Sequence, residues 1–257
     1  MSIASEITRL QNDSAAIASA IRAKGVTVPS GSGYDDYASL IGQISGGGGS
    51  LPYTPLEYIQ TDGAAYINTG IIPTTDSSRV MGCDLKVKMN ASISSAEIIV
   101  GTGKTDGNAK TFNFLYRSTG NQSKIGYGYH YMYSGVITPS GFANPFEVST
   151  LLEYGACMMG CKEAGASTYI TQSNDRNRSV APGVPLYIFA SNDNGSPARN
   201  ASAGTRIYYI RISISKSFPN IVFDAVPCIY NNAYGLWDRV TNSFFGNAAN
   251  SGSFTGQ

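Results

Sequence analysis

The sequence has few charged residues, and this scarcity excludes several classes of protein. Charged side chains make up 14% of the 257 residues, and the formal net charge is +1. Such a chain offers no basic stripe on which nucleic acid or an anionic membrane surface could bind. No apolar segment reaches the length that a membrane-spanning helix needs. We therefore expect neither nucleic-acid binding nor membrane insertion.

The sequence also lacks the features of a secreted, disulfide-rich protein. No basic segment followed by an apolar run stands at the N-terminus, so we expect no signal peptide and synthesis in a reducing cytoplasm. Four cysteines do not form a disulfide framework in a chain of this length. We expect buried free thiols at Cys83, Cys157, Cys161 and Cys228.

Residues that could hold a metal ion or a cofactor are scarce. His130 is the only histidine. A Ser-His-Asp triad, or a zinc site that included Cys157 and Cys161, would therefore have to use His130 or no histidine at all. No phosphate-binding or dinucleotide-binding glycine motif is present. The run Ser191–Ser196 clusters side-chain oxygens as a calcium loop does, but Asn-Asp-Asn-Gly is also a turn sequence. We expect no metal site and no cofactor, and leave open a calcium ion near Asn192–Asn194.

Paired carboxylates of the kind that glycan-cleaving enzymes use are not evident. Such enzymes need a nucleophile and a general acid on one face, about 5 Å apart. The alternating pattern Glu-x-Asp-x-Glu is absent. Glu147 and Glu153 would share a strand face, but six residues separate them, which is too far. We expect no enzymatic activity.

What the sequence does have is typical of short strands and tight turns: 29 glycines and 17 tyrosines, with many serine, threonine and asparagine residues. Residues 80–89 alternate, which predicts that Met81, Cys83, Leu85, Val87 and Met89 point inward. Many such runs after residue 50 predict a two-sheet sandwich or jelly roll. Other predicted strands are a hairpin around Thr61-Asp62-Gly63, Glu97–Gly101, Thr111–Arg117, Lys124–Tyr133, Phe146–Met158, Ser167–Gln172, Pro185–Ala190, Thr205–Ser215, Ile221–Tyr230 and Ser243–Phe245.

The first 44 residues have a different, helical pattern. A helix is predicted from Ser2 to Lys24, because apolar residues repeat at intervals of four and three along a seam that is interrupted by Ser14. Gly25 and Pro29 end this helix. A second helix is predicted from Tyr34 to Ile44. The seam and the second apolar stripe together predict an oligomerisation or docking surface formed by Ile3, Ile7, Leu10, Ile17, Ile21, Tyr37, Leu40, Ile41 and Ile44.

A glycine-rich segment, "ISGGGGS" at 44–50, follows the helices and is typical of a flexible hinge at 45–50. Two short helices bury too little apolar surface to be stable alone. The helices therefore either pack with other copies, dock on a larger assembly, or dock on the domain that follows. The flexible hinge favours the first two alternatives.

A run of alternating tyrosines lies in "IGYGYHYMYSG", residues 125–135. If the run is one strand, Tyr127, Tyr129, Tyr131 and Tyr133 project from the same face. Tyrosine has an apolar ring and a polar tip, which suits stacking on a sugar or contact with another subunit. The same face could instead lie in the core of the sandwich. These three interpretations remain open at the level of sequence, and the four residues are candidate ligand-binding residues.

Two resemblances add context. Residues 7–44 contain "AIRAKGVTVPSG" and "YASLIGQI", and they resemble an N-terminal helical segment of many tailed-bacteriophage tail, baseplate and fibre-type proteins. Residues 51–254 resemble the concanavalin A-like (LamG-like) jelly roll of phage tail proteins and bacterial surface proteins. The opening "LEYIQTDGAAYINTG" is similar to a common first hairpin of that group, with Ala65 and Asn68 where the usual pattern has Gln and Asp.

These resemblances imply three segments: a helical oligomerisation or docking segment at 1–44, a hinge at 45–50 and a concanavalin A-like jelly roll at 51–257. They imply a bacteriophage virion protein of tail, fibre or baseplate type that self-associates, with a trimer favoured, or contacts other virion proteins. The jelly roll is expected to bind host-surface glycans. The alternatives are a structural or decoration protein without a ligand, and a glycan depolymerase.

Overall fold

The computed structural model describes residues 3–23, 26–42, 51–73, 80–103, 112–117, 119, 124–129, 132–137, 142, 144–153, 157–163, 166, 170–174, 182–214 and 220–257. Two compact units are formed, Met1–Pro52 and Tyr53–Gln257. The predicted hinge at 45–50 lies outside the described residues.

The first unit consists of two helices, α1 (Ile3–Ala23) and α2 (Tyr34–Gly42). Charges near both ends of α1 interact favourably with the helix dipole, because Glu6 lies in the first turn and Arg22 in the last. The start of α2 is capped, because the Gly33 N–H donates to Asp36 Oδ2 at 2.9 Å. No helix among the described residues is long and apolar enough to cross a membrane.

The helical unit has a small core of its own, and this corrects part of the predicted docking surface. Ile21, Tyr37 and Leu40 are buried inside the unit, so they stabilise its fold and are not available to a partner. Ser14, the polar residue that interrupts the seam, forms a hydrogen bond within the unit, since its Oγ lies 2.8 Å from Tyr37 Oη. The small core consists of Ala18, Ile21, Val26, Val28, Tyr37 and Leu40, with Ile17 packed against it.

Apart from Ile17, which is half-buried against this core, the rest of the predicted docking surface is exposed or lies outside the described side chains. The side chains of Ile7, Leu10 and Ile41 are 51%, 43% and 52% exposed. The side chain of Ile3 is not described, and Ile44 lies outside the described residues altogether. An apolar strip on the first half of α1 is therefore uncovered within this unit.

The second unit is built from strands in two sheets. In chain order they are β1 (Thr54–Pro55), β2 (Ile59–Thr61), β3 (Ile67–Asn68), β4 (Val80–Lys88), β5 (Glu97–Gly103), β6 (Phe112–Arg117), β7 (Ile125–Tyr129), β8 (Met132–Ile137), β9 (Phe146–Glu153), β10 (Cys157–Glu163), β11 (Ile170–Asn174), β12 (Tyr187–Ile188), β13 (Ser191–Asp193), β14 (Ser196–Ala198), β15 (Arg206–Ser213), β16 (Ile221–Tyr230), β17 (Ala233–Asp238), β18 (Ser243–Phe245) and β19 (Phe254–Gly256).

The spatial order of the strands does not follow the chain. In the first sheet the order is β11-β10-β9-β4-β15-β16-β17-β18, and in the second it is β14-β13-β5-β6-β7-β8. Short strands extend both: β1 pairs with β16, β2 pairs with β15 and β19, and β12 pairs with β3 and β5. Strands distant in sequence, such as β4 and β15, therefore lie side by side.

The core lies between the sheets and follows the alternation that the sequence predicts. All five residues predicted to point inward from 80–89 are buried, and they belong to one cluster with Phe114, Phe146 and Ile210. One polar link crosses the core, where Thr150 Oγ1 donates to the Phe114 carbonyl at 3.0 Å. Burial of the apolar faces of both sheets is the main stabilising contribution.

Two predicted strands are wrong, because each is a hairpin. The segment Phe146–Met158 is divided into β9 and β10, which pair with Leu152 opposite Cys157. The segment Lys124–Tyr133 is likewise divided into β7 and β8, which pair with Tyr129 opposite Met132. In the second case the sequence between the strands is His-Tyr, which carries none of the usual turn residues.

Candidate functional site

The structure divides the predicted run of tyrosines between two strands, and for Tyr127 it supports the core interpretation. Tyr127 is fully buried in the sandwich core, so it cannot present its ring to a ligand or a second subunit. Tyr129 and Tyr133 lie on different strands, β7 and β8, and their side chains are not described. Tyr131 and His130 lie outside the described residues. The four tyrosines therefore do not lie on one strand.

A β-bulge in β15 places a different pair of tyrosines outside the core. Ile207 and Ile210 are both fully buried, although three residues separate them in a strand whose side chains alternate. The pairing of β15 with β4 shifts between Ile207 and Tyr209, so that one extra residue is accommodated. Tyr208 and Tyr209 consequently both lie outside the core, and each is half-buried.

Tyr209 lines a cleft of about 580 Å³ on the first sheet, opposite the core. The register between strands explains which residues of the sheet line this cleft. Asp84 of β4 pairs with Ser149 of β9, Ser149 pairs with Gly160 of β10, and Gly160 pairs with Thr171 of β11. Four strands thus contribute one row of residues. Among the described residues, the cleft is lined by Asp84, Ser149, Leu151, Met158, Met159, Gly160, Thr171, Ser173 and Tyr209.

Asp84 is the charged residue of this lining. Burial raises the pKa of its carboxyl group above the usual value, and a hydrogen bond from Ser149 and the positive charge of Arg211 oppose that shift. The negative charge of Glu147 adds to the increase in pKa. Asp84 and Glu147 are thus neighbouring carboxylates on adjacent strands, a relationship that sequence spacing did not reveal. Glu153, by contrast, pairs with Val80 at the far end of β9.

An alternating series of charges continues from Asp84 across the sheet. Arg211 pairs in register with Asp84 on one side and with Asp224 on the other. The Arg211 Nε atom lies 3.5 Å from Asp224 Oδ1, and Arg239 Nη2 donates to both oxygens of Asp224 at 2.8 Å. Asp224 is therefore held by two arginines, whereas Asp84 stands at the end of the series, where the cleft opens.

Tyr208, the other tyrosine of the bulge, has neighbours of its own. Lys86 Nζ lies 5.0 Å from the centroid of the Tyr208 ring, and the Tyr58 ring is 5.6 Å away. The Arg206 guanidinium lies over Tyr58 at 4.1 Å. Such cation–π contacts hold these side chains in place. Tyr208 belongs to this packed group, and Tyr209 faces the cleft.

The calcium loop considered from the sequence is a β-hairpin in the structure. Asn194 and Gly195 have φ of 53° and 96°, as a type I′ turn between β13 and β14 requires. The Asn192 side chain is buried and used locally: Oδ1 accepts from Gly195 N at 2.7 Å, and Nδ2 donates to the Pro185 carbonyl at 2.8 Å. Among the described residues, no group of three His, Cys, Asp or Glu side chains could hold a metal ion.

Three of the four predicted buried thiols have described side chains, and the side chain of Cys157 is not described. Cys83, Cys161 and Cys228 are buried free thiols, as the sequence predicts. Burial raises the pKa of Cys161 to about 12 and that of Cys228 to about 11, and it raises the pKa of Cys83 well above the usual value. Since the thiolate is the reactive form, these residues are inert at neutral pH.

Comparison with known proteins supports the fold. No protein-family model and no curated protein sequence matches the chain. A candidate carbohydrate-binding protein from Bacteroides ovatus ATCC 8483 aligns with a TM-score of 0.51 and 9% identity, over 79% of this chain and 60% of that chain. The present chain therefore spans less than two thirds of that protein. The fold class is confirmed: mainly β, with 47% strand, as a two-sheet sandwich of lectin-like or jelly-roll type.

Two other solved structures align with TM-scores below 0.5. A SAP-like pentraxin from Limulus polyphemus has a TM-score of 0.39 and 11% identity, over 60% of this chain and 74% of that chain. The enzymatically active domain of tailspike protein 2 from bacteriophage CBA120 has a TM-score of 0.36 and 11% identity, over 59% of this chain and 24% of that chain. At these scores neither structure supports a conclusion about the present chain.

Proposed function

We propose that the sandwich unit binds carbohydrate in the cleft beside Tyr209 and does not cleave it. The observation that carries this proposal is the composition of the cleft, in which a half-buried tyrosine, the carboxylate of Asp84 and the hydroxyl groups of Ser149, Thr171 and Ser173 converge on one sheet face. Sugars present hydroxyl groups to such acceptors and donors, and their apolar ring faces stack on aromatic rings. The fold shared with the Bacteroides protein is compatible with this role.

A glycan array probed with the full chain tests the proposal, followed by titration calorimetry with any sugar that binds. We expect binding that falls in Asp84→Ala and Tyr209→Ala and persists in Val240→Ala. Val240 is 46% exposed on the loop after β17 and is not among the cleft residues. A blank array with folded protein would overturn the proposal and favour a structural or decoration protein.

A second assay distinguishes binding from cleavage. The Asp84 and Glu147 carboxylates interact across adjacent strands, and a raised pKa is a property of many general acids. Release of reducing ends from a bound oligosaccharide, lost in Asp84→Asn and Glu147→Gln, would replace the binding proposal by a glycan depolymerase. We expect no release.

We further propose that α1 joins copies of the chain, as a trimer, so that several sandwiches are displayed together. The exposed seam residues Ile7 and Leu10 support this, because they continue the four-and-three spacing of a coiled-coil seam. Linked copies would raise the overall affinity of weak sites without new contacts.

Light scattering on the full chain tests this assembly. We expect three times the monomer mass, and a monomer for the double variant Ile7→Asp/Leu10→Asp. Asn12→Asp is the matched control, because Asn12 is exposed on the same helix but lies off the seam. A monomeric wild-type chain would contradict self-association and leave docking on another virion protein. The assignment to a bacteriophage particle rests on the resemblance of residues 7–44, and detection of the chain in purified particles would test it.

A further inference from the structure

The cleft has a second row of residues whose chemistry differs from the first. Leu151 of β9 pairs with Met158 of β10, and Met158 pairs with Ser173 of β11. Leu151 also pairs with Gly82 of β4. This row lies two residues along the strands from the row that contains Ser149, a separation of roughly 7 Å. The cleft is therefore polar along one row and mainly apolar along the next.

Met158 is unusually exposed for an apolar residue in a strand. Its side chain is 47% exposed, and it lies beside the half-buried Leu151. Methionine is flexible and polarisable, so it adapts to small apolar groups of different shape. An exposed apolar patch bordered by polar residues commonly marks a ligand contact.

Both rows lie on the lining of one cleft. Gly160 stands between Ser149 and Thr171 in the polar row and contributes no side chain to the cleft. Leu151 and Met158 of the apolar row line the same cleft. A ligand that occupies the cleft can therefore contact both rows at once.

From this arrangement we propose that the ligand is a saccharide with a methyl-terminated substituent, such as an acetyl group or the methyl group of a 6-deoxy sugar. This inference rests on the proposed carbohydrate-binding function and specifies its ligand class. The hydroxyl groups of the sugar bind Asp84, Ser149 and Thr171, while the methyl group packs against Leu151 and Met158. Burial of one methyl group corresponds to about a fourfold gain in affinity.

Matched pairs of sugars test the inference by titration calorimetry on the full chain. One pair is N-acetylglucosamine with N-formylglucosamine, which lacks the methyl group, and the other is D-fucose with D-galactose. We expect the methyl-bearing member of at least one pair to bind about fourfold more tightly. Which pair shows the difference identifies the substituent, and either result supports the inference.

Variants separate the methyl contact from other effects. Met158→Gln keeps the length of the side chain but removes its apolar character, so it should abolish the difference within the pair and leave the unsubstituted sugar unaffected. Val240→Gln, outside the cleft lining, should change neither affinity. Equal affinities within both pairs, or an equal loss for both members in Met158→Gln, would overturn the inference while leaving carbohydrate binding intact. Failure of every sugar to bind would instead overturn the proposed function.

Discussion

Arg117 and Glu97 form a fully buried ion pair between neighbouring strands β6 and β5. Arg117 Nε donates to Glu97 Oε1 at 2.9 Å, and Nη2 makes an ionic contact with the same oxygen at 2.6 Å. The pair also holds two loops, since Arg117 Nη1 donates to the Asn90 carbonyl at 2.7 Å and Ser202 N donates to Glu97 Oε2 at 2.6 Å. The Phe142 ring lies under the guanidinium at 4.5 Å.

Breaking this pair on one side should destabilise the sandwich strongly. Glu97→Leu or Arg117→Met alone should lower the free energy of unfolding by about 3–5 kcal/mol, because each leaves an uncompensated buried charge. The double variant should lose less free energy of unfolding than the sum of the losses in the two single variants. Urea unfolding measures this free energy for all three variants. Arg9→Met is the exposed control, since Arg9 pairs with Glu6 and Asp13 at the surface of α1, and it should leave the free energy of unfolding nearly unchanged. Additive losses in the double variant would contradict the coupling.

Asp84→Asn should stabilise the protein while weakening sugar binding. Burial raises the pKa of Asp84 in the folded state, so its ionised form is disfavoured there. A raised carboxyl pKa gives stability that is fully present below the unfolded pKa and is lost as the pH rises through the folded pKa. At pH 7 the Asp84→Asn variant should therefore show a higher Tm than the wild-type chain, and this difference in Tm should vanish on acidification.

Asp62→Asn provides a control for which the expected change in Tm has the opposite sign. Burial on its own raises the pKa of Asp62, but backbone N–H groups of Ala64, Ala65 and Ser253 outweigh it and hold the pKa below the usual value. Ionised Asp62 therefore stabilises the fold above the unfolded pKa, and this contribution is lost as the pH falls through the folded pKa. Thermal melts of Asp62→Asn at pH 7 should show a lower Tm. A fall in Tm for both variants would contradict the electrostatic description of the cleft.

The two tyrosines of the bulge should differ in their effect on binding. Tyr209→Ala should weaken sugar affinity by about tenfold, as expected for loss of an aromatic contact with the ligand. Tyr208→Ala should change affinity by less than about twofold, because Tyr208 packs with Lys86 and Tyr58. Titration calorimetry compares the two, and equal losses would place the ligand elsewhere.

Tyr127 should prove to be a core residue. Tyr127→Ala should lower the free energy of unfolding by about 3–5 kcal/mol, because it removes a fully buried ring and leaves a cavity. Tyr127→Phe retains the ring and should cost about 1 kcal/mol. Urea unfolding measures both, and a fully stable Tyr127→Ala would contradict the burial.

Local sequence patterns predicted the secondary structure where one strong signal was present. The alternation from Met81 to Met89 predicted the inward face of β4 correctly, since every second residue is apolar. The helical seam predicted α1, but not that Tyr37 and Ile21 would be used inside the unit. The hairpin of β7 and β8 was missed, because no glycine, proline or asparagine separates Tyr129 from Met132.

The sequence by itself therefore determined the class of structure: a small helical unit, a glycine-rich segment and a mainly β sandwich with apolar inner faces. Tertiary structure alone decided the candidate site, because Asp84, Ser149, Gly160 and Thr171 become neighbours only through pairing between strands that are distant in the chain. The spacing of Ile207 and Ile210 is a local signal of the bulge, but it has that meaning only once both residues are known to be buried. Burial depends on the opposing sheet, and for that reason Tyr209 could not be assigned to the site from its own segment.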